Sequence, residues 1–159
     1  MINEIDQNSI RNFSDTFHQV NENFKKVFKI LFGDGVAELK LSEPDNMLNT
    51  GVEIFVQPPG KKLQNMNLLS GGEKAMTACT LIFAMFLCKP TPFCFLDEID
   101  APLDDANISR FTKIVKELSK ETQFLIITHN QKTMEVANSL YGITMEEPGV
   151  SKVISVRLS

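Results

Sequence analysis

The segment from Pro92 to Asp100 (PFCFLDEID) decides the fold expected of this chain. Its apolar residues run directly into two adjacent carboxylates, Asp97 and Glu98. A short apolar run of this kind is typical of a strand that is buried on both faces. Ligands of open α/β sheets bind beyond the carboxyl ends of the strands. The segment therefore predicts either a site with one acid for a hard cation and one for a base, or a pair of solvated loop acids.

The composition indicates one domain with a substantial core. The chain has 159 residues, of which 43% are hydrophobic, and its net charge of −4 provides no global basic field for nucleic acid. Cys79, Cys88 and Cys94 are odd in number and form no CxxC pair, so they are expected to be reduced core residues of a cytosolic protein. The apolar segment from Ala75 to Cys88 is short for a membrane span, and it predicts a buried helix.

The first part of the chain carries a long helical pattern. Its apolar residues recur in alternating steps of three and four, as in a heptad seam; they are Ile10, Phe13, Phe17, Val20, Phe24, Val27 and Leu31. A coiled coil and an amphipathic helix that packs on its own domain explain this pattern about equally well.

An antiparallel hairpin is predicted next, from two alternating segments at Val36–Leu41 and Gly51–Gln57. The loop that follows, Pro58–Lys62, contains a Gly-Lys pair. A phosphate-binding P-loop needs GxxxxGK followed by Ser or Thr. Phe55 stands where the first glycine should be and Lys62 where the hydroxyl should be, so this loop is not a P-loop, and no other stretch supplies one.

A helix start with two glycines follows at Leu68–Lys74 (LLSGGEK). Ser70 and Glu73 have the spacing of a capping box, which satisfies the first amides of a helix. A capping box does not call for Gly71 and Gly72, and each glycine costs about 0.8–1.0 kcal/mol relative to alanine inside a helix. Close approach of an anion to the helix start explains the glycines better.

The rest of the chain predicts a second strand that ends beside the first. Asp104 or Asp105 caps a helix, and the strand from Gln123 to Thr128 then leads into His129. If the two strands are parallel, Glu98 and His129 emerge at the same edge, and a catalytic histidine and a structural one both remain open. Two further strands, Tyr141–Glu146 and Ser151–Leu158, flank a Pro148-Gly149 sequence that suits a type II turn.

In this order the motifs resemble the head of a structural maintenance of chromosomes (SMC) protein, a branch of the ABC-type ATPases. Leu69–Lys74 is similar to the signature motif, Phe93–Glu98 to Walker B, Ala101–Asp104 to the D-loop and Ile127–Asn130 to the H-loop. Glu73 and the stretch DAPLDDAN point to the bacterial branch.

The resemblance implies an α/β fold: the C-terminal lobe of an ABC-type ATPase head, with a mostly parallel sheet flanked by helices, antiparallel hairpins and an N-terminal coiled-coil-like helix. Residues 1–32 would be the end of the coiled-coil arm, and residues 33–159 the C-terminal half of the head. ATP and Mg²⁺ are the implied cofactors.

Roles for individual residues are also implied by the resemblance. Asp97 would help to hold Mg²⁺ through water, and Glu98 would polarise the water that attacks the γ-phosphate. His129 would contact that phosphate, and Asp104 would act across a dimer of heads. The signature residues would bind nucleotide seated on the opposite head; they are Ser70, Gly71, Gly72 and Glu73.

The implied function is to complete ATP-dependent head engagement and hydrolysis for chromosome condensation and segregation. The family's P-loop lies in the N-terminal half of the head, so the chain alone is expected to be inactive. The expected partners are that half, a second head in a homodimer, a ScpA-like kleisin subunit, and DNA through the whole complex, with no membrane. The final hairpin, Tyr141–Leu158, is a plausible kleisin site. The expected location is the cytoplasm, at the nucleoid.

Two other functions fit the motifs less well. A half-head of a Rad50-type DNA repair ATPase would share the signature motif and Walker B, but the stretch DAPLDDAN and the Pro148-Gly149 region match it poorly. A structural interaction domain would use the same acids and glycines only as caps and turns.

Overall fold

A computed structural model describes residues 2–157, with side chains from Ile5 onward. The elements are α1 (Ile2–Phe32), β1 (Val36–Leu41), β2 (Val52–Gln57), β3 (Gln64–Asn65), α2 (Gly71–Cys88), β4 (Phe93–Asp97), α3 (Asp105–Leu118), β5 (Gln123–Ile127), α4 (Gln131–Met134), β6 (Ser139–Glu147) and β7 (Val150–Arg157). A 3₁₀ turn at Met66–Leu68 precedes α2.

The strands of residues 2–157 form three small sheets. Strands β1, β2 and β3 form an antiparallel sheet, β4 and β5 a parallel pair, and β6 and β7 an antiparallel hairpin. The expectation of a mostly parallel sheet is therefore wrong, and the architecture is a mixed α/β fold. The connection through α3 returns the chain in the same direction and so makes β4 and β5 parallel, whereas loops without a helix join β1 to β2 and β6 to β7.

Helix α1 packs on the domain with its second half. Phe24, Phe28 and Leu31 are fully buried, whereas Phe13 and Phe17, further up the same stripe, are only half-buried. The Asn21 side chain accepts a hydrogen bond from the Leu39 N–H at 2.8 Å and donates one to the Leu39 carbonyl at 3.3 Å. These two bonds fix α1 against β1. The second half of the helix thus packs on its own domain, and the first half leaves apolar side chains partly exposed.

Helix α2 is the central helix of the core. Its residues Met76, Cys79, Phe83 and Ala84 are all inaccessible to solvent. By length and composition alone, α2 is the one helix among residues 2–157 that could cross a membrane. The core helix of a water-soluble protein passes the same test. One face of α2 lies in the core but Met85 and Leu87 are each 47% exposed, so the prediction of a buried helix is confirmed for that face only.

The parallel pair is covered on one face only. Cys94 and Leu96 of β4 are buried, but Phe93 and Phe95 on the opposite face are 55% and 68% exposed. Ile127, on the neighbouring strand β5, is also 61% exposed. Successive side chains of a strand point to opposite faces, and the core that contains α2 and α3 covers only one of them. The prediction of a strand buried on both faces is therefore wrong for this chain.

The last two strands form the predicted hairpin. Glu147 pairs with Val150 across a two-residue turn, and Gly149 has φ +84°, as the third residue of a type II turn requires. Most apolar side chains of both strands are exposed, with Tyr141 at 70% and Val153 at 61%, whereas Leu140 is half-buried. Leu158, which was predicted to end the second strand, lies outside the described residues.

Candidate functional site

Glu98 and His129 meet at the carboxyl edge of the parallel pair. Asp97 of β4 is in register with Ile127 of β5, and the backbone N–H of Glu98 donates to the Ile127 carbonyl at 2.9 Å. This register brings Oε1 of Glu98 to 4.0 Å from Nδ1 of His129. Both side chains are more than half exposed, so their contact contributes little to stability. The prediction that both residues emerge at one edge is confirmed.

The backbone of Glu98 is in the left-handed region, with φ +46°. This conformation costs roughly 1–2 kcal/mol for a residue other than glycine. A tight turn holds it in place, because the Ala101 N–H donates to the Glu98 carbonyl at 3.1 Å. Strained residues of this kind are concentrated at functional sites. The turn re-aims the Glu98 carboxylate away from the strand and toward His129.

The start of α2 is a second polar cluster. Ser70 is the N-cap residue, and Oε2 of Glu73 accepts hydrogen bonds from the Ser70 N–H at 3.1 Å and its hydroxyl at 2.7 Å. The Lys61 ammonium lies 2.8 Å from the same oxygen. The hydrogen bond from Lys61, followed by that from Ser70, lowers the pKa of Glu73 below its ordinary value. Glu73 is thereby held as a carboxylate that orients Ser70, as the capping-box interpretation predicts.

The two glycines of this turn differ. A Cβ atom at Gly71 would meet nothing within 4 Å, whereas one at Gly72 would lie 3.0 Å from the carbonyl oxygen of Pro102. Packing against the loop after β4 therefore accounts for Gly72 without a ligand. For Gly71, the explanation from the sequence still applies. The space above this helix N-terminus is open, and an anion can approach the backbone amides there.

The remaining predicted acids occupy separate positions. Asp104 is the N-cap of α3 and accepts from the Asn107 N–H at 2.8 Å, which decides the choice between it and Asp105. Asp105 pairs instead with Lys132 at 3.2 Å. Asp97 is exposed at the end of β4.

Among the side chains that the structure describes, from Ile5 to Arg157, no group of three or more His, Cys, Asp or Glu is placed to hold a metal ion. Mg²⁺ is commonly bound by one or two carboxylates together with waters and substrate phosphates. A single exposed carboxylate at Asp97 fits that kind of binding and does not fit a dedicated protein cage.

Three polar residues beneath the edge were missed by the sequence reasoning. Asp100 is only 1% exposed, and its Oδ2 accepts hydrogen bonds from the hydroxyls of Thr128 at 2.6 Å and Thr133 at 2.5 Å. The Thr128 hydroxyl in turn accepts from the Asn130 N–H at 2.9 Å. Nothing in the sequence distinguishes the buried Asp100 from its exposed neighbours.

Cysteine chemistry contributes nothing to this site. Cys79, Cys88 and Cys94 are all free, as predicted, but only Cys79 and Cys94 are buried, so the prediction of a core position is wrong for Cys88. Burial raises the pKa of the Cys79 thiol to about 12, with a smaller contribution from Asp100. Burial likewise raises the pKa of Cys94. Both thiols therefore stay protonated and unreactive near neutral pH.

Comparison with known proteins connects this geometry to one family. Residues 4–152 match a family model described as RecF/RecN/SMC N terminal domain. The chromosome partition protein Smc of Halobacteriovorax marinus is 57% identical over 157 residues, which cover 99% of this chain and 13% of that protein. The chain thus spans about an eighth of the length of this relative.

Two solved structures show the same fold at high similarity. One is the Smc head domain with an extended coiled coil from Pyrococcus furiosus, bound to the C-terminal domain of ScpA. Its TM-score is 0.89 at 42% identity, and the match covers 98% of this chain and 39% of the chain in that structure. The other comes from work on ATP-driven dimerization and DNA stimulated activation of SMC ATPases, with a TM-score of 0.84 at 41% identity over 92% of this chain and 89% of its own.

These comparisons correct the position assigned to the chain. The matching family model is described as an N terminal domain. By that description, the prediction that the chain is the C-terminal half of a head is wrong, and the same holds for the assignment of residues 33–159 to that half. The expectation of a partner defined as the N-terminal half of the head loses its basis as well.

Proposed function

We propose that the chain, which belongs to the RecF/RecN/SMC N terminal domain family, forms part of an SMC ATPase head that acts in chromosome partition. The observation that supports this best is the contact between Glu98 and His129 at the ends of two parallel strands. Because the chain covers 13% of its Smc relative, the activity of a whole SMC protein is carried over to it as part of this proposal.

Glu98 is the general base in the proposed reaction. Its carboxylate is exposed, is aimed by a strained turn, and can accept a hydrogen bond from a water that attacks a γ-phosphate. His129, at 4.0 Å, is placed to donate to an oxygen of the same phosphate. Phosphoryl transfer depends chiefly on positioning and charge stabilisation. The Glu98 carboxylate and the His129 imidazole, side by side at one sheet edge, could provide both the positioning and the charge stabilisation.

Asp97 is the residue that would hold Mg²⁺, through water, beside the phosphates. The ion supplies charge neutralisation on the phosphate oxygens when it is bound. Asp97 is the last residue of β4, whereas Glu98 lies in the turn that follows with φ +46°, so the two carboxylates start from different backbone conformations. The two acids of the Walker B segment are thereby assigned separate tasks.

The signature turn is proposed to bind nucleotide carried by a second head. Ser70 presents its hydroxyl at the N-terminus of α2, and the open space above Gly71 admits phosphate oxygens to the backbone amides. Glu73 and Lys61 hold Ser70 in this arrangement. The Pro102 carbonyl beside Gly72 connects this turn with the D-loop, where Asp104 would act across the dimer.

The proposed site is incomplete within this chain. The sequence contains no GxxxxGK followed by Ser or Thr. A separate segment that carries a P-loop would have to cover the exposed face of β4 and β5, and the chain alone is proposed to be inactive. Phe93, Phe95 and Ile127 provide the apolar surface on which such a segment would pack.

Further partners follow from the same proposal. A second head would complete the nucleotide site, a ScpA-like kleisin would dock on the exposed hairpin of β6 and β7, and DNA would be held by the whole complex. The half-exposed upper stripe of α1, within residues 1–32, would pair with another helix as the end of a coiled-coil arm. The complex would work in the cytoplasm, at the nucleoid.

Mixing experiments test this proposal. The chain is combined with a separately expressed segment of an SMC head that carries the P-loop, and ATP hydrolysis is measured for each part and for the mixture. Activity only in the mixture supports the proposal. An inactive mixture of demonstrably associated parts would favour a structural interaction domain instead.

A further inference from the structure

We propose that Asp100 and Thr128 are positioning residues that hold Glu98 and His129 in their relative arrangement. This inference rests on the proposed function and identifies what fixes the geometry of its site. Asp100 follows Glu98 by two residues, and Thr128 directly precedes His129. The hydroxyl of Thr128 donates to Oδ2 of Asp100 at 2.6 Å, so this bond joins the two segments that carry the reacting groups.

The hydrogen bonds bracket His129 on both sides. Thr128 donates to Asp100 and accepts from the backbone N–H of Asn130 at 2.9 Å. Thr128, before His129, is thereby bonded directly to the buried carboxylate, and Asn130, after His129, is connected to it through Thr128. His129 itself is 74% exposed, so packing around its own ring does little to orient it. The backbone on either side has to do so.

Burial makes the Asp100 carboxylate a rigid anchor. It is 1% exposed, and loss of a hydrogen bond to a buried charged group is costly because water cannot replace it. The backbone carbonyl of the same residue accepts from the Leu103 N–H at 3.1 Å, which continues the turn that begins at Glu98. Movement of Asp100 would therefore displace the Glu98 turn together with the His129 loop.

Thr133 provides a matched control within the same network. Its hydroxyl donates to the same Oδ2 atom at 2.5 Å, but Thr133 lies on α4, beyond His129. Thr128→Val and Thr133→Val each remove one hydroxyl that donates to Oδ2 of Asp100, at nearly constant side-chain volume, and Thr128→Val also removes the acceptor of the Asn130 N–H. A purely structural role for Asp100 predicts a similar kcat for the two folded variants. A positioning role predicts that only Thr128→Val disturbs the site.

The test uses the assembled head, with its P-loop segment, and measures kcat and KM for ATP. We expect Thr128→Val to lower kcat by roughly 10- to 100-fold, as small misplacements of catalytic groups do, with KM unchanged. Thr133→Val should leave kcat near that of the wild type, and Thr128→Ser, which keeps the hydroxyl, should restore it. Equal kcat values for the two valine variants, whether both normal or both reduced, would overturn the inference.

Hydrogen exchange without nucleotide gives a second readout. The Asn130 amide should exchange faster in Thr128→Val than in the wild type, and at the wild-type rate in Thr133→Val. Unchanged exchange at Asn130 in Thr128→Val would also overturn the positioning role. Failure of the proposed function is recognised separately, because an assembled wild-type head would then hydrolyse no ATP at all.

Discussion

Oε1 of Glu98 and Nδ1 of His129 lie 4.0 Å apart although they belong to different loops. The parallel register of β4 and β5 and the turn at Glu98 bring them together. Neither residue is buried, so both side chains are accessible from solvent. In the proposed function, a half-site completed by another segment would account for exposed polar side chains next to a large exposed apolar face.

Ser70→Arg should prevent ATP-driven pairing of assembled heads. The arginine side chain would occupy the space above Gly71, where phosphate oxygens are proposed to enter. Pairing is measured by analytical ultracentrifugation with and without ATP. Ser119→Arg, at the far end of α3, adds the same charge to an exposed serine and should pair normally. Normal pairing of Ser70→Arg would refute the nucleotide-binding role of this turn.

Lys61→Met should raise the pKa of Glu73 toward its ordinary value, because the Lys61 hydrogen bond is the largest cause of the lowered pKa. A lowered pKa stabilises the folded head at neutral pH, and this stabilisation is lost as the pH falls through the folded pKa, below 4.5. In Lys61→Met that loss should shift to higher pH. Carboxyl NMR titration of labelled Glu73 measures its pKa in each variant. Lys62→Met is the control and should leave the pKa of Glu73 unchanged.

Phe95→Lys should make the isolated chain less prone to self-association. Phe95 is 68% exposed on the uncovered face of β4, and exposed apolar sheet faces promote association. The same substitution should weaken assembly with the P-loop segment. Light scattering and a pull-down measure the two effects. Leu48→Lys, which changes a 55% exposed leucine in a loop, is the control. If both variants behaved alike, this face would not be the assembly surface.

Gly35→Ala should destabilise the chain more than Gly60→Ala does. Both glycines have positive φ, at +111° and +77°, so each substitution costs on the order of 1 kcal/mol from the backbone. At Gly35 the new Cβ would also clash with the Gln57 carbonyl oxygen, whereas at Gly60 it would meet nothing within 4 Å. The added clash should cost roughly a further 1–3 kcal/mol. Urea denaturation measures the difference, and equal midpoints would contradict it.

Local sequence patterns predicted most of the elements and the shared edge of the site. Apolar alternation predicted β1 and β2, capping residues predicted the start of α2, and the two apolar runs predicted that Glu98 and His129 emerge together. These features depend on residues close in sequence or on general rules for parallel strands. They could therefore be inferred without knowledge of the packing.

Features that depend on packing could not be predicted. The apolar run of β4 is covered on one face only, because covering the other face requires a layer that residues 2–157 do not provide. Lys61 pairs with Glu73, and the buried Asp100 bonds to Thr128. Each contact joins segments that are distant in sequence, and no local pattern predicts that they meet. Gly72, which the sequence suggested for ligand approach, instead adjoins the Pro102 carbonyl.

The most direct test of the proposed role is Glu98→Gln in the assembled head. Glutamine preserves the shape of the side chain but cannot accept a proton from water, so kcat should fall by about 10²- to 10⁴-fold. Heads should still pair in ATP, because nucleotide binding is assigned to other residues. Glu135→Gln, an exposed acid on the turn after α4, should retain activity. Hydrolysis by Glu98→Gln at the wild-type rate would contradict the assignment of Glu98 as the base.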